Sequence, residues 1–255
     1  MRSSSASIEK FLDILSSFDF DCQEFSIREL STKLGIPLST TYKYVDVLVR
    51  RGFLVKDAVT RKVSLGLAAY KIGALAADRM PLLDIARPHM IALSRQSRET
   101  VTLTVVYGWE SLCIEKIETP MRIQLLVEKG SSIPLHAGAS QTILLAFQEE
   151  RFVDAMIEDN GLRAFSDNTV TDPVRLKARL KSIRDQGFSF SDGEYEPGAA
   201  AVAAPIFDHR GRLAAGLSIL GPRERLVGEK KYALIEMVKG CASQISSDLG
   251  FKDRK

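Results

Sequence analysis

The sequence has no apolar run approaching the roughly 20 residues that a membrane helix needs. No apolar stretch follows the opening Met1-Arg2-Ser3-Ser4-Ser5. It is therefore not read as a signal peptide, and the expected location is the cytoplasm, with no membrane partner. The three cysteines, Cys22, Cys113 and Cys241, are scattered and odd in number. That suits a reducing compartment and argues against a disulfide framework. The three histidines, His89, His136 and His209, are equally isolated, so no metal site is expected.

Catalytic patterns are also lacking. Gly216-Leu217-Ser218-Ile219-Leu220-Gly221 is the nearest approach to a nucleophile elbow. Its second glycine is at the wrong spacing, and no histidine follows Ser218 to complete the usual order. There is no phosphate-binding loop of the Walker type. No catalytic residue and no cofactor are expected. The two signs of charge nearly cancel over the whole chain, whose net charge is only +3.

That small surplus is gathered in one stretch. Between Ser26 and Gly66 lie eight cations (Arg28, Lys33, Lys43, Arg50, Arg51, Lys56, Arg61 and Lys62) against three anions (Glu29, Asp46 and Asp57). The local net charge is +5, so the remainder is slightly acidic. Such a local surplus marks a surface for nucleic acid.

The same stretch has a helix-turn-helix pattern. Ser26 and Glu29 have the spacing of a capping box, and Ile27, Leu30 and Leu34 form a helical apolar stripe. Gly35 stops that helix, and Ile36-Pro37 turns the chain. A second helix is expected from Leu38 to just before Gly52, with Thr41, Val45, Leu48 and Val49 inward. At 100° per residue this turns Ser39, Thr40, Lys43, Val47 and Arg50 outward. Phe53-Leu54-Val55 and Lys62-Val63-Ser64-Leu65 alternate as two strands around a loop carrying Arg61, which is the wing of a winged helix. Ser39, Thr40 and Lys43 are the candidates for base reading. Lys43, Arg50, Arg51, Arg61 and Lys62 are the candidates for phosphate contacts. The competing reading is a winged helix that contacts only protein.

Ahead of this motif, Ile8, Phe11, Leu12 and Leu15 recur at helical spacing behind a candidate N-cap at Ser7, predicting a helix that ends near Phe18. After it, Leu67, Tyr70, Leu75 and a series of alanines predict a linker helix, broken by Met80-Pro81, that either pairs with a second copy or packs on its own domain. Pro88 is expected near the start of the next helix.

The texture then turns to strand. Thr100–Tyr107 is β-branched, Leu112, Ile114 and Ile117 suggest a second strand, and Ile123, Leu125 and Val127 a third. A buried helix is expected over 143–147, and surface helices before Gly161 and Gly187. Strands then follow over 188–192, 199–207 and 213–220, and a last helix has Tyr232, Ile235, Val238, Ala242 and Ile245 inward. The fold class is α+β in two domains. Residues 1–66 form a winged helix-turn-helix domain, 67–80 the linker helix, and 81–255 an antiparallel sheet with surrounding helices.

With these residues in hand, the chain resembles the IclR family of bacterial transcription regulators over nearly its whole length. The resemblance is carried by Leu38-Ser39-Thr40-Thr41-Tyr42-Lys43, Arg51-Gly52-Phe53-Leu54, Pro134-Leu135-His136-Ala137, Asp192-Gly193-Glu194-Tyr195-Glu196-Pro197-Gly198 and Ala203-Ala204-Pro205-Ile206-Phe207-Asp208. It implies a regulator that binds an operator in double-stranded DNA, and a GAF-like C-terminal domain that holds a small effector. The assembly implied is a homodimer or homotetramer. It also implies an effector pocket walled by Gly138, Ala139, Ser140, Ser191, Asp192, Ala201, Ser218 and Leu220. His136 is expected to be structural. The family's usual Gly-Lys after the His-Ala motif is Gln141-Thr142 here, the acidic pair of some relatives is Ser191-Asp192, and Leu220 replaces a serine. These changes imply a more apolar pocket, suited to an aromatic or sugar-derived acid rather than a two-carbon keto acid.

Overall fold

The computed structural model describes residues 2–20, 22–119, 121 and 127–252. By contact the chain divides into two compact units, residues 1–80 and 81–255. The first unit contains helices α1 (Arg2–Leu15), α2 (Ile27–Leu34) and α3 (Leu38–Arg50), the hairpin strands β1 (Leu54–Lys56) and β2 (Val63–Leu65), and helix α4 (Leu67–Ala77).

The capping box at the start of α2 is complete. The Glu29 N–H donates to Ser26 Oγ at 3.2 Å, and the Ser26 N–H donates to the Glu29 carboxylate at 2.7 Å. Gly35 takes the left-handed conformation, φ 62°, that lets the chain reverse into α3. Ile14, Leu30, Ile36, Val45, Leu48, Leu54 and Val63 meet in one core, each contributing about 1.5–3 kcal/mol on burial. The hairpin register, Leu54↔Leu65 to Lys56↔Val63, keeps Leu54 and Val63 inward.

Two expectations for the first helix change. Ser7 lies inside α1, which begins earlier, and α1 ends at Leu15 rather than near Phe18. Its inner face is rotated as well. Ile14 is buried and Phe11 packs edge-on against Tyr44 at 5.7 Å, whereas Ile8 and Leu12 are exposed. With Phe11, Ile14 and Leu15 turned to the core, Ile8 and Leu12 fall on the solvent side of the helical arc.

The second unit begins with α5 (Pro81–Ser97), β3 (Thr100–Tyr107), β4 (Glu110–Ile117), β5 (Ser132–Pro134) and α6 (Ala139–Ala146). It continues with α7 (Glu150–Asn160), α8 (Pro173–Gln186), β6 (Ser189–Asp192), β7 (Ala199–Phe207), β8 (Leu213–Pro222), α9 (Arg223–Leu226) and α10 (Lys230–Asp248). The strands form one antiparallel sheet in the order β5-β4-β3-β8-β7-β6. This is the α+β architecture.

The two faces of the sheet are covered differently. Helix α6 packs on one: a Cβ at Gly216 would meet Ile143 at 2.8 Å and Leu144 at 3.3 Å, so only glycine lets the helix approach this closely. All eight residues of α6 are buried. Helices α5 and α10 cover the other face, where Arg87 reaches Glu115 at 2.7 Å and Lys231 lies over the Phe190 ring.

Some boundaries differ from expectation. Pro88 is interior to α5, which starts at Pro81, a position where a missing N–H costs nothing. The strand expected through Ile123, Leu125 and Val127 lies outside the described residues, apart from Val127, and the strand paired with β4 is β5. The buried helix over 143–147 starts four residues earlier, at Ala139. Tyr232 is 74% exposed, because the inward stripe of α10 runs through Leu234, Ile235, Val238, Cys241, Ala242 and Ile245, and Tyr232 falls outside that arc.

Candidate nucleic-acid interface and effector site

The outer face of α3 is set by what its inner face buries. Thr41, Val45 and Leu48 are buried, and Thr41 Oγ1 donates back to the Pro37 carbonyl at 3.2 Å. Val49, expected inward, is only half-buried, and this turns the exposed stripe onto Ser39, Tyr42, Lys43, Asp46 and Arg50. Thr40 and Val47 sit at its flank, half-buried. Tyr42, 49% exposed, is therefore a surface residue that sequence reading missed. The available clue was that Tyr42 is one residue from Lys43 and three from Ser39, within the same helical arc.

Arg50 Nε meets Asp46 Oδ2 at 3.1 Å, but both side chains are largely exposed, so the pair adds little to stability and Arg50 is free to turn to another anion. Lys43 makes no ion pair among the described residues. Arg51 is exposed just past the helix end. In the wing, the Asp57 carboxylate accepts from the N–H groups of Val59 and Thr60 at 2.8 and 2.6 Å and from Thr60 Oγ1 at 3.0 Å. These bonds hold its pKa below the ordinary carboxylate value. Arg61 follows with φ 61°, an uncommon conformation for a residue with a side chain. Lys62 is half-buried beside Glu24, 3.6 Å away.

In the second unit the sheet register brings most of the predicted pocket residues together. One cross-sheet row is Ser191↔Ala201↔Leu220↔Thr100, and the next is Ser189↔Ala203↔Ser218↔Thr102. Alternation along the strands places both rows on the α6 face. Contacts from α6 agree: Thr142 Oγ1 and Ser189 Oγ are 2.8 Å apart, and Thr104 Oγ1 donates to the Ser140 carbonyl at 3.3 Å. Ser218 is fully buried, and among the described residues its Oγ has no hydrogen-bond partner. Ser140, Ser191 and Leu220 are buried as well, and Ala201 half-buried.

Asp192 is not part of this group. It follows Ser191, so its side chain turns to the opposite face, where its carboxylate accepts from Arg223 Nε at 2.6 Å. The family resemblance placed it in the pocket with Ser191, and the two-residue period of the strand separates them. In the other direction, the sequence reading missed Thr100, Thr102 and Thr104, which line the α6 face and are all buried. Their spacing of two in a strand was the legible signal.

The start of α6 is ordered by a second carboxylate. Gly138, at φ 100°, donates its N–H to Glu194 Oε2 at 3.3 Å. Glu194 is buried, and its two oxygens accept from Arg179 Nη1 and Nη2, each at 2.7 Å. His136 Nε2 lies 2.8 Å from the Arg163 carbonyl and must be the donor there; Nδ1 is buried with no partner among the described residues. Cys113 is on the same face of β4 as Lys116, and burial pushes its thiol up to about 11, so it stays neutral. Burial pulls the Lys116 ammonium pKa down, and hydrogen bonds from Lys116 to Glu118 and Glu128 more than offset this, leaving it raised. Its charge is spent on those two carboxylates, at 3.0 and 3.4 Å.

Two family models match the chain: the IclR helix-turn-helix domain over residues 7–58, and the bacterial transcriptional regulator IclR C-terminal domain over residues 74–247. The chain belongs to the IclR family. This member is 33% identical over 251 residues to the HTH-type transcriptional regulator KipR of Bacillus subtilis, covering 98% of this chain and 100% of the relative. The crystal structure of the Thermotoga maritima IclR superposes with a TM-score of 0.72 at 30% identity, covering 97% of this chain and 100% of that one. An IclR homolog from Microbacterium hydrocarbonoxydans, solved in complex with 4-hydroxybenzoate, superposes with a TM-score of 0.82 at 25% identity, covering 95% and 98%. This IclR-family chain is a DNA-binding transcription regulator with a C-terminal effector-binding domain, and not an enzyme. No described helix is long and apolar enough to cross a membrane, and no described cluster of His, Cys, Asp and Glu could hold a metal ion.

Proposed function

We propose that this regulator controls a catabolic operon from the cytoplasm, docking α3 in the major groove of its operator. Ser39, Thr40 and Lys43 read base edges, with Tyr42 beside them, and Arg50, Arg51, Arg61 and Lys62 join Lys43 on phosphates. The observation that carries this reading is the exposed arc of α3, where Lys43 and Arg50 stand next to short hydroxyl groups. Anisotropy titration against DNA from upstream of its own gene, at two salt concentrations, tests it. Affinity should fall steeply with salt. Absence of binding at every ionic strength would favour a winged helix that meets only protein.

The protein works as a homodimer, or as a homotetramer built from dimers, with α4 as the pairing surface. Leu67, Tyr70, Ile72 and Leu75 are all exposed there, and no residue of α4 is buried. Such a helix suits a second copy of this chain, because paired recognition helices match paired half-sites. The effector is a small organic acid held on the α6 face of the sheet. Its carboxylate meets the unpaired amides at the start of α6 and the Ser218 hydroxyl, and its body lies over Ala201 and Leu220. Binding shifts the population of dimer arrangements by favouring one spacing of the two winged units. The 4-hydroxybenzoate in the Microbacterium homolog, a carboxylate on an apolar ring, has the chemistry this reading requires.

A further inference from the structure

The notable feature of the α6 start is that it already holds an anion belonging to the chain itself. A helix start presents amides without intrahelical partners and a partial positive charge. Here the Gly138 N–H is spent on Glu194, and the amides of Ala139, Ser140 and Gln141, which precede the first intrahelical bond from Thr142 to the Gly138 carbonyl, are those a ligand could meet. Independently, the Ser218 hydroxyl, fully buried on the same sheet face, has no hydrogen-bond partner among the described residues, which points to a ligand there. A carboxylate beside such a site should repel an incoming acid. Arg179 grips both oxygens of Glu194, and its Nη2 also donates to the Phe190 carbonyl at 3.0 Å, one residue from Ser191. The Glu194 carbonyl in turn accepts from Thr169 Oγ1 at 2.6 Å and Ser166 Oγ at 3.1 Å. Three parts of the site therefore converge on one guanidinium: the α6 start, strand β6 and the loop carrying Glu194. Lys116, the other cation identified on this face, is committed to its own two carboxylates.

We infer that Glu194 and Arg179 are the specificity-determining pair of the effector site, balancing the charge at the α6 start so that it accepts a ligand with a single negative charge and disfavours a dianion. Neither residue touches the effector. Glu194 screens the helix start, Arg179 cancels Glu194, and the residual attraction comes from the free amides. This inference rests on the effector reading given above.

The test uses the full-length protein with benzoate, its uncharged twin benzamide and the dianion phthalate as probes, read by isothermal calorimetry. The wild type should bind benzoate in preference to both others. Glu194→Gln keeps the shape and a hydrogen-bond acceptor but unmasks Arg179, so benzoate affinity should rise about five- to tenfold and phthalate affinity more. Benzamide affinity should hardly change. Arg179→Met leaves Glu194 bare and should lower benzoate affinity by a similar factor. If Arg179→Met fails to fold, Glu194→Gln and Arg179→Lys decide the matter. The lysine variant keeps the charge, and its benzoate-to-benzamide ratio should stay within about threefold of wild type. A purely structural pair predicts instead that every variant weakens all three probes together, and that result would overturn the inference while leaving the effector reading intact. A wild type that binds none of the probes would sink the effector reading and the inference together.

Discussion

The outer face of α3 and the α6 face of the sheet are both polar surfaces, made of opposite materials. On α3 the charged groups are long and solvated, with Lys43 in no ion pair among the described residues and Arg50 in only a weak exposed pair, and short hydroxyls stand beside them. On the sheet they are short, uncharged and buried: Thr100, Thr102, Ser191 and Ser218. A polyanion is attracted over distance and releases counterions, so flexible cations in water serve it best. A small ligand must be worth desolvating, and fixed donors in a buried site return more than mobile ones. The sites also differ in how they treat charge of their own. Exposed ion pairs on α3 cost little to break, whereas the buried Arg179–Glu194 pair would leave an uncompensated charge if one partner were lost.

The hardest blow to this contrast is the double variant Lys43→Ala with Arg50→Ala. It should reduce operator affinity at least about a hundredfold while leaving the oligomer intact by sedimentation; unchanged affinity would remove α3 as the recognition face. Next comes Tyr70→Glu with Leu75→Glu on α4, which should yield monomers by light scattering and weaken operator binding about tenfold or more. A stable dimer would move the pairing surface elsewhere. On the sheet, Ser218→Ala should lower effector affinity about tenfold yet leave the ligand-free protein as stable or about 1 kcal/mol more stable by calorimetry, because it deletes an unpartnered buried hydroxyl. A loss of stability would mean that Ser218 is an ordinary core hydroxyl. Arg51→Ala should reduce the slope of log affinity against log salt by about one.

The smallest effect compares turns rather than faces. Asp57 in the wing is lowered by bonds from Thr60 and Val59. Asp208 in the β7–β8 turn is held at about 2, mainly by the backbone N–H of Arg212, then that of Arg210 and the Arg212 guanidinium. A depressed folded-state value stabilises above the unfolded value, near 4 on the usual scale, and that contribution disappears as pH falls toward 2. Asp208→Asn should therefore flatten the acid limb of the stability profile between about pH 4 and pH 2, with a small loss of stability at neutral pH that shrinks as the pH falls toward 2.

Much of the fold was legible because its signals are local. The capping box at Ser26, the reversal at Gly35 and the cation count between Ser26 and Gly66 depend on residues close together in the chain. Tyr42, Asp192 and the threonine row were not legible in the same way. Tyr42 depended on how far Val49 sinks into the core, and Asp192 on which side of β6 faces α6. Thr100 and Thr102 became site residues only when β3 paired with β8.

What the amino-acid order determined by itself is most of the elements, the basic winged segment and the family to which they belong, since periodicity, caps and charge are written in neighbouring residues. What only the tertiary structure decided is which polar groups share a face. Register and packing join residues more than a hundred positions apart, such as Thr104 and Gly216, and no local pattern carries that information. The same holds for Glu194, whose meaning as a counter-charge to a helix start exists only once α6, α8 and its own loop have come together.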